Sequence, residues 1–490
     1  MVTDTKLGCL ATQGYFRGDN KIMPIKSFLE KQVNRIAPEF RMSWQKVILL
    51  AIFSNVMLSA HSVHGQTLEE ALTNAYQTNP FLQAARAELR ATDETVNQAI
   101  SGWRPSVEFS GTAGVSRVET NFDLGDGSRK PRSGELSVKQ NLYAGGQTTA
   151  ETEQKQYDVL WKRAVLVRVE QNVLLDASIA YMDTVRDQAV VDLRKNNKRV
   201  LLRQLEATKD RFSVGEVTRT DVSQAEARVA RAKADQIQAE GDFQNSRTIF
   251  ERVVGFSAVD LASPSITLDL PKTQTEAIEL ALKRNPNVLS ALYVGKAAKK
   301  KIQKIKGELL PSLDVIGSIS NSRDVSSRGS SSETSQIIAT LKIPLYQQGA
   351  VSSRVRAAKQ EAAQRRFEYD DTQRISIEAT KTAWKNLETA KARMDAFRVE
   401  IKSSEIALEG VRQEANVGSR TVLDVLDAEQ ELLDAQVKLV RAERDEFVAA
   451  AELAASVGKL TAKDYNLKID YYDELKHYNK VRDKFYGSDK

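Results

Sequence analysis

From Gln147 to Val214 the chain runs without a glycine or a proline, and from Ala350 to Val417 only Gly410 interrupts a second such stretch. Both are built from Ala, Leu, Val, Gln, Glu, Lys and Arg, mostly residues that lose little freedom on entering a helix. At 1.5 Å per residue, each run predicts a rod about 100 Å long. Helices in globular proteins average about 10–14 residues. Two rods of this length call for an elongated architecture rather than a rounded core.

The two rods belong to an internal repeat. Asn79-Pro80 recurs as Asn285-Pro286, and "GWRPSVEFSG" from Gly102 recurs as "ELLPSLDVIG" from Glu308, both 206 positions later. "LYAGG" from Leu142 recurs as "LYQQG" from Leu345, Gly215 as Gly418, and Gly255 as Gly458, all at a spacing of 203. Five landmarks in one order at near-constant spacing define two copies of one design. The first repeat covers residues 66–270. It reads as a helix, strands over about 105–118 and 133–143, a long helix over 147–213 and a helix over 218–254. The second covers 271–460, with strands over about 311–321 and 335–346, a long helix over 350–416 and a helix over 421–457. Residues 461–490 form a tail. Pro80 to Trp103 together with Thr218 to Val254 nearly match one rod in length, so two short helices stacked end to end would lie along each long one.

The strands alternate. Val107, Phe109, Ala113 and Val115 interleave with Ser106, Glu108, Ser110, Thr112 and Ser116. Ile337, Ala339, Leu341, Ile343 and Leu345 interleave with Gln336, Thr340 and Lys342. Segments of about ten residues with this period fit a transmembrane β-barrel, and a half-buried soluble sandwich gives the same pattern. The segments Glu119 to Arg132 and Asn321 to Ser332 read as polar loops. Four strands cannot close a membrane barrel, whose smallest examples have about eight. An open strand edge in lipid leaves backbone groups unsatisfied. In a membrane, these strands must therefore share a barrel with other subunits.

Composition excludes several functions. Aromatic residues are only 7%, which suits helices that bury a stripe. Val47 to Ala60, "VILLAIFSNVMLSA", follows Arg41 and Lys46 and reads as a secretory signal ending near Gly65, with a membrane anchor as the alternative. Residues 1–65 carry eight Lys/Arg and four Asp/Glu, so their removal lowers the net charge from +6 to +2. That balance argues against nucleic acid as a partner. Cys9, His61 and His64 go with the leader. A remaining chain with His477 alone and no cysteine is poorly equipped for catalytic triads, thiol or imidazole catalysis, or Cys/His metal sites. No catalytic, cofactor or metal residue is assigned, and carboxylate chemistry is the one enzyme class that composition leaves open. "LGDGSRK" from Leu124 reads as a loop, and the run Lys296 to Lys306 as a solvated basic face.

With the two Asn-Pro dipeptides, the "LYxxG" turns, "RFSVGEVTRTDV" from Arg211 and "VGSRTVLDVLDAEQ" from Val417, the chain resembles the TolC family from Thr67 to about Leu460. The resemblance implies a mixed α/β membrane protein with two structural repeats per chain. Each copy contributes four strands to a trimeric 12-stranded β-barrel, continued by a long α-helical tunnel in the periplasm. It implies no enzyme but an outer-membrane exit duct for type I secretion or multidrug efflux, with a periplasmic adaptor and an inner-membrane ABC or RND transporter as partners. A periplasmic coiled-coil adaptor is the alternative, since adaptors also carry long hairpins.

Within that frame the two glycine turns become the candidate site. Asp424 and Asp427 share one helix face, and in a threefold assembly they would form a ring of carboxylates selecting cations. Mutual repulsion would raise the pKa of some members. The plain alternative is that Asp424, like Asp221, caps its own helix through Thr421-x-x-Asp424 and Thr218-x-x-Asp221. Asp427 is too deep for a cap, and its repeat counterpart is Gln224. By resemblance, Arg420 and Asp221 of neighbouring tips form a network that closes the tunnel, although Ala415 stands where the family often has tyrosine. A solvated arginine is the alternative for Arg420. Val214, Gly215, Val417, Gly418 and Thr421 are the candidate docking tips for an adaptor.

Overall fold

The computed structural model describes residues 66–119, 127–264 and 268–488. The expectations for the leader, including its secretory segment and Cys9, lie outside those residues. The first repeat forms α1 (Leu68–Thr78), α2 (Pro80–Ile100), a short 3-10 turn (Ser101–Trp103), β1 (Ser106–Ala113), β2 (Ser116–Val118), β3 (Gly127–Arg129), β4 (Arg132–Ala144), α3 (Gln147–Ser213) and α4 (Arg219–Val254). The second forms α5 (Gln274–Arg284), α6 (Pro286–Gly307), β5 (Ser312–Arg323), β6 (Ser331–Lys342), α7 (Ala350–Asn416) and α8 (Val422–Ser456), followed by α9 (Glu474–Val481). The rods α3 and α7 have 67 residues each.

Each repeat has two helices ahead of its strands where one was expected. The break falls at Asn-Pro. Proline disfavours helical backbone in the residue before it, and Asn79 sits extended at φ −59°, ψ 121°. Its Oδ1 accepts from the Phe81 and Leu82 amides at 3.0 and 3.4 Å, starting α2 with proline in the first turn. Its Nδ2 donates to the Val253 carbonyl at 3.2 Å, in the last turn of α4. Asn285 repeats both roles, accepting from Asn287 and donating to Ser456 in α8, each at 2.8 Å. One asparagine thus caps one short helix and satisfies the end of another. Through these bonds α2 and α4 stack along α3, while α6 and α8 lie between α3 and α7. Gly255 and Gly458 close α4 and α8 with positive φ of 99° and 78°.

The largest core lies where these short helices meet. Leu68, Leu72, Leu82 and Leu89 pack with Leu174, Tyr181, Phe250 and Val254, with Leu460 at the end of the second repeat and with Leu467 from the tail. The tail beyond residue 460 is therefore part of the fold at its start. Tyr181 is fully buried, with its hydroxyl 2.9 Å from the Gln66 carbonyl and 2.5 Å from that of Ala262. Burial pushes its pKa up to about 12.

Four of the strands form an antiparallel sheet in the order β1-β4-β5-β6, and among the described residues β1 and β6 are its unpaired edges. The register sorts the faces. Phe109, Leu136 and Ile319 form one cross-strand row, and Val107, Val138, Gly317 and Ile337 the next. The opposite face carries rows such as Ser110, Glu135, Ser320 and Thr334. The apolar row is exposed, Phe109 at 73% and Ile337 at 84%.

Three strand spans differ from the sequence reading by more than one residue, and proline accounts for one end of two of them. The strand expected over 105–118 ends at Ala113, because Pro131 has no N–H to extend the ladder beyond Arg132. Residues 116–118 instead pair with 127–129, so part of the expected loop over Glu119 to Arg132 and of "LGDGSRK" is a two-stranded ribbon. Pro344 likewise stops the last strand at Lys342, leaving Ile343 and Leu345 outside it; its span is 331–342 rather than 335–346. The third strand covers 312–323 rather than 311–321. The run Lys296 to Lys306 is also less solvated than expected. Lys300 and Lys304 pair with Glu153 and Glu151 of α3 at 2.6 and 2.7 Å, and Lys301 with Glu361 of α7 at 2.7 Å.

Candidate functional site

The two turns that end the rods are built alike. Gly215 and Gly418 adopt φ of +82° and +83°, the left-handed backbone that lets a long helix stop. In the first turn the Glu216 amide donates to the Arg211 carbonyl at 2.9 Å, and in the second the Ser419 amide donates to Glu414 at 2.9 Å. Thr218 and Thr421 then open α4 and α8 with full capping boxes. Each threonine amide donates to the following aspartate, Asp221 or Asp424, at 2.8 Å. The cap described for both aspartates in the sequence is thus present. The Thr421 hydrogen bonds hold the Asp424 carboxyl below its ordinary pKa, opposite in sign to the shift that repulsion within a ring would give.

The tips differ in charge. In the first turn Arg211 pairs with Glu216 at 3.1 Å; in the second Arg420 pairs with Glu414 at 2.8 Å. Cation and anion have exchanged sides of the glycine. Glu414 is the repeat counterpart of Arg211, a signal that the sequence carried and the motif reading missed. Arg420 is about half exposed and Asp221 is engaged by its own cap, and among the described residues no bond joins the two. Val214 and Val417 stand out at 72% and 81% exposure.

Asp427 pairs with Arg228 of α4, across the two repeats. The register of this contact is set by an apolar knot of Leu201, Ala232, Val422 and Leu426 just above the tips. Two residues beyond Asp427, Glu429 is 8% exposed and accepts from Arg412 at 3.0 Å. Asp424 and Asp427 remain one turn apart on α8, and the turns bring together acidic side chains, two exposed valines and paired arginines. Chemically this is a charged rim on two helical hairpins. Among the described residues no group of His, Cys, Asp and Glu could hold a metal ion, and no helix is long and apolar enough to cross a membrane.

Comparisons with known proteins bear on this architecture. The family model described as outer membrane efflux protein matches residues 71–255 and 277–459, one segment in each repeat. The outer membrane efflux protein BepC of Brucella suis biovar 1 (strain 1330) is 32% identical over 449 residues, covering 91% of this chain and 97% of that protein. The outer membrane protein TolC of Vibrio cholerae is 27% identical over 436 residues, covering 85% of this chain and 96% of its own length. The crystal structure of the Campylobacter jejuni CmeC outer membrane channel shares the fold, with a TM-score of 0.73 at 14% identity over 86% of this chain and 90% of that one. Paired rods, a four-stranded sheet and a family match in both halves lead to one conclusion: the chain belongs to the outer membrane efflux protein family, the TolC-type channels.

Proposed function

We propose that three copies of this chain close into one exit duct through the outer membrane, serving type I secretion or multidrug efflux. Membership of an outer-membrane channel family sets aside the adaptor reading. The observation that carries the proposal is the coincidence of free flanks. Around the chain the helical layers run α2/α4, α3, α6/α8, α7, and the strands run β1-β4-β5-β6. β1 continues from the α2 flank, and β6 leads into the α7 flank. A neighbour that meets β6 with its own β1 therefore also covers α7 with its α2 and α4. Repeated around an axis, the contact is heterologous and closes into a ring. Three copies give twelve strands, with the face that carries Phe109, Val107, Leu136, Ile319 and Ile337 meeting lipid and the serine-rich face lining a polar lumen. The channel itself performs no chemistry in this reading. Mass measurement of the detergent-solubilised protein tests it: three chains per particle support it, and a monomer sinks it.

At the far end of the rods, Asp424 and Asp427 from three copies line the tunnel mouth as a cation-selecting ring, and Arg420 meets Asp221 of the next copy to hold the tips closed. Untwisting of the tips opens the duct when an adaptor docks on Val214, Gly215, Val417, Gly418 and Thr421, recruited with an inner-membrane ABC or RND transporter. Asp427 brings its in-chain partner Arg228 to the rim, so the ring carries balanced as well as free carboxylates. In planar bilayers, Asp424→Asn/Asp427→Asn is expected to lower the cation-to-anion permeability ratio severalfold and to weaken block by divalent cations. An unchanged ratio would remove the ring.

The gate has its own test. Arg420→Ala and Asp221→Ala are each expected to raise basal conductance, while Glu414→Ala leaves it low. If Glu414→Ala opens the pore as much as Arg420→Ala, the in-chain pair rather than the contact between copies holds the tip.

A further inference from the structure

Beyond the core residues Leu460 and Leu467, the tail runs along the outside of α2 by a series of specific contacts. His477 Nδ1 lies 3.1 Å from the buried Asp93 carboxylate, and the Arg163 guanidinium stacks 5.2 Å from the Tyr478 ring. Val481 is buried. Further on, the Lys484 carbonyl accepts from Asn97 Nδ2 at 3.0 Å and from Arg104 at 2.7 Å. The partners on the first repeat advance from residue 93 to 97 to 104, so the tail climbs parallel to α2 towards the sheet. It arrives at Arg104, two residues before β1. There the Arg104 guanidinium stacks 4.5 Å from the Phe485 ring, yet Phe485 is 75% exposed and Tyr486 91%.

This end of the sheet already carries exposed aromatics. Trp103 precedes β1, and its carbonyl accepts from Gln140 of β4 at 3.0 Å. Tyr143 lies near the end of β4, and Tyr346 follows β6 at 84% exposure. Aromatic rings at one end of a membrane sheet mark the height of the lipid headgroups. Phe485 and Tyr486 are delivered to that height by a segment with Lys476, Lys480, Arg482 and Lys484 against Asp473, Glu474 and Asp483. Two large apolar rings on a net-cationic segment match an anionic lipid interface, where rings insert and cations attract headgroups.

We propose that the C-terminal segment around Phe485 and Tyr486 is an interfacial lipid anchor that inserts into the periplasm-facing leaflet, bound by anionic phospholipid. The inference rests on the reading that the β1–β6 sheet lies in the membrane. Its contacts explain the design: Asp93, Asn97, Arg104 and Arg163 hold the segment rigidly against the helices, so ordering cost is met before lipid is reached.

The test uses the full chain in a Cys9→Ser background, reconstituted into vesicles of phosphatidylethanolamine and phosphatidylglycerol. A bimane label is placed at Tyr486→Cys, and separately at Ile337→Cys on the sheet. Lipids brominated near the headgroup end of the acyl chain for position 486, and deeper in the chain for position 337, are each expected to remove about half of the emission. Phe485→Ser, with the label moved to Ser488→Cys, should quench less than Ser488→Cys alone. Quenching at 337 without quenching at 486 overturns the anchor and leaves the membrane sheet standing. A blue-shifted but unquenched label at 486 means that protein covers the tail, and also overturns it. Loss of quenching at both positions defeats the membrane reading itself.

Discussion

Gly145→Ala is expected to destabilise the protein by about 4 kcal/mol, combining left-handed backbone strain with overpacking. Gly145 sits at φ +62°, and a methyl there would overlap the Gly307 carbonyl oxygen and come within 3.0 Å of Leu310 Cβ. The squeeze is mutual, since a methyl on Gly307 would stand 2.7 Å from the Gly145 oxygen. Apart from that Cβ these are backbone atoms, at the junctions of β4 with α3 and of α6 with β5 where helices meet the sheet, and they have no room to yield. Against a typical total of about 5–15 kcal/mol, such a loss takes a large share of the margin and should appear as a clear fall in unfolding temperature. The neighbouring Gly146→Ala is the control. Gly146 has φ +76° and open space around it, so only the backbone cost of about 1–2 kcal/mol applies. Thermal unfolding in detergent reads the difference. Equal shifts for the two variants would show that the close approach to Gly307 does not matter.

Ile337→Arg is the second large effect. Ile337 lies in the middle of the free-edge strand β6, in the exposed row with Val107 and Val138. An arginine on a lipid-facing position costs about 2–4 kcal/mol near the bilayer midplane. In the proposed trimer, with one substitution per chain, the cost is borne three times. Thr334→Arg changes the same strand on the opposite, serine-rich face, where water would solvate the guanidinium. The folded, membrane-inserted fraction should fall steeply for Ile337→Arg and hardly for Thr334→Arg. Comparable losses would mean that the two faces of the sheet have been assigned the wrong way round or that neither meets lipid.

Much of this architecture was legible because it rests on local chemistry. Gly/Pro-free runs give rods, threonine followed three residues later by aspartate gives capped helix starts, and glycine gives the turns. Asn-Pro was visible as a landmark, but its role was only half visible. Residues 79 and 285 lie far from Val253 and Ser456 in sequence, so the end-to-end bonding could not be read. The strand ends were misjudged because alternation was followed past Pro344, where the missing N–H outweighs a favourable side-chain pattern. At the tips, contacts between helices depend on the relative phase of rods 67 residues long. Neither Asp427 with Arg228 nor Glu429 with Arg412 follows from spacing along one helix. Glu414 was within reach, since alignment of the repeats sets it opposite Arg211.

The two asparagines also bear on how stiffness is distributed across the helical layers. Of the four helical columns in each copy, two are single unbroken shafts, and two are segmented, coupled at one joint by an amide side chain. A shaft resists bending along its whole length, whereas a segmented column yields at its coupling. Stiff and compliant columns therefore alternate within each copy, and in the proposed duct a torque applied at the turns would bend the segmented columns first, at Asn79 and Asn285.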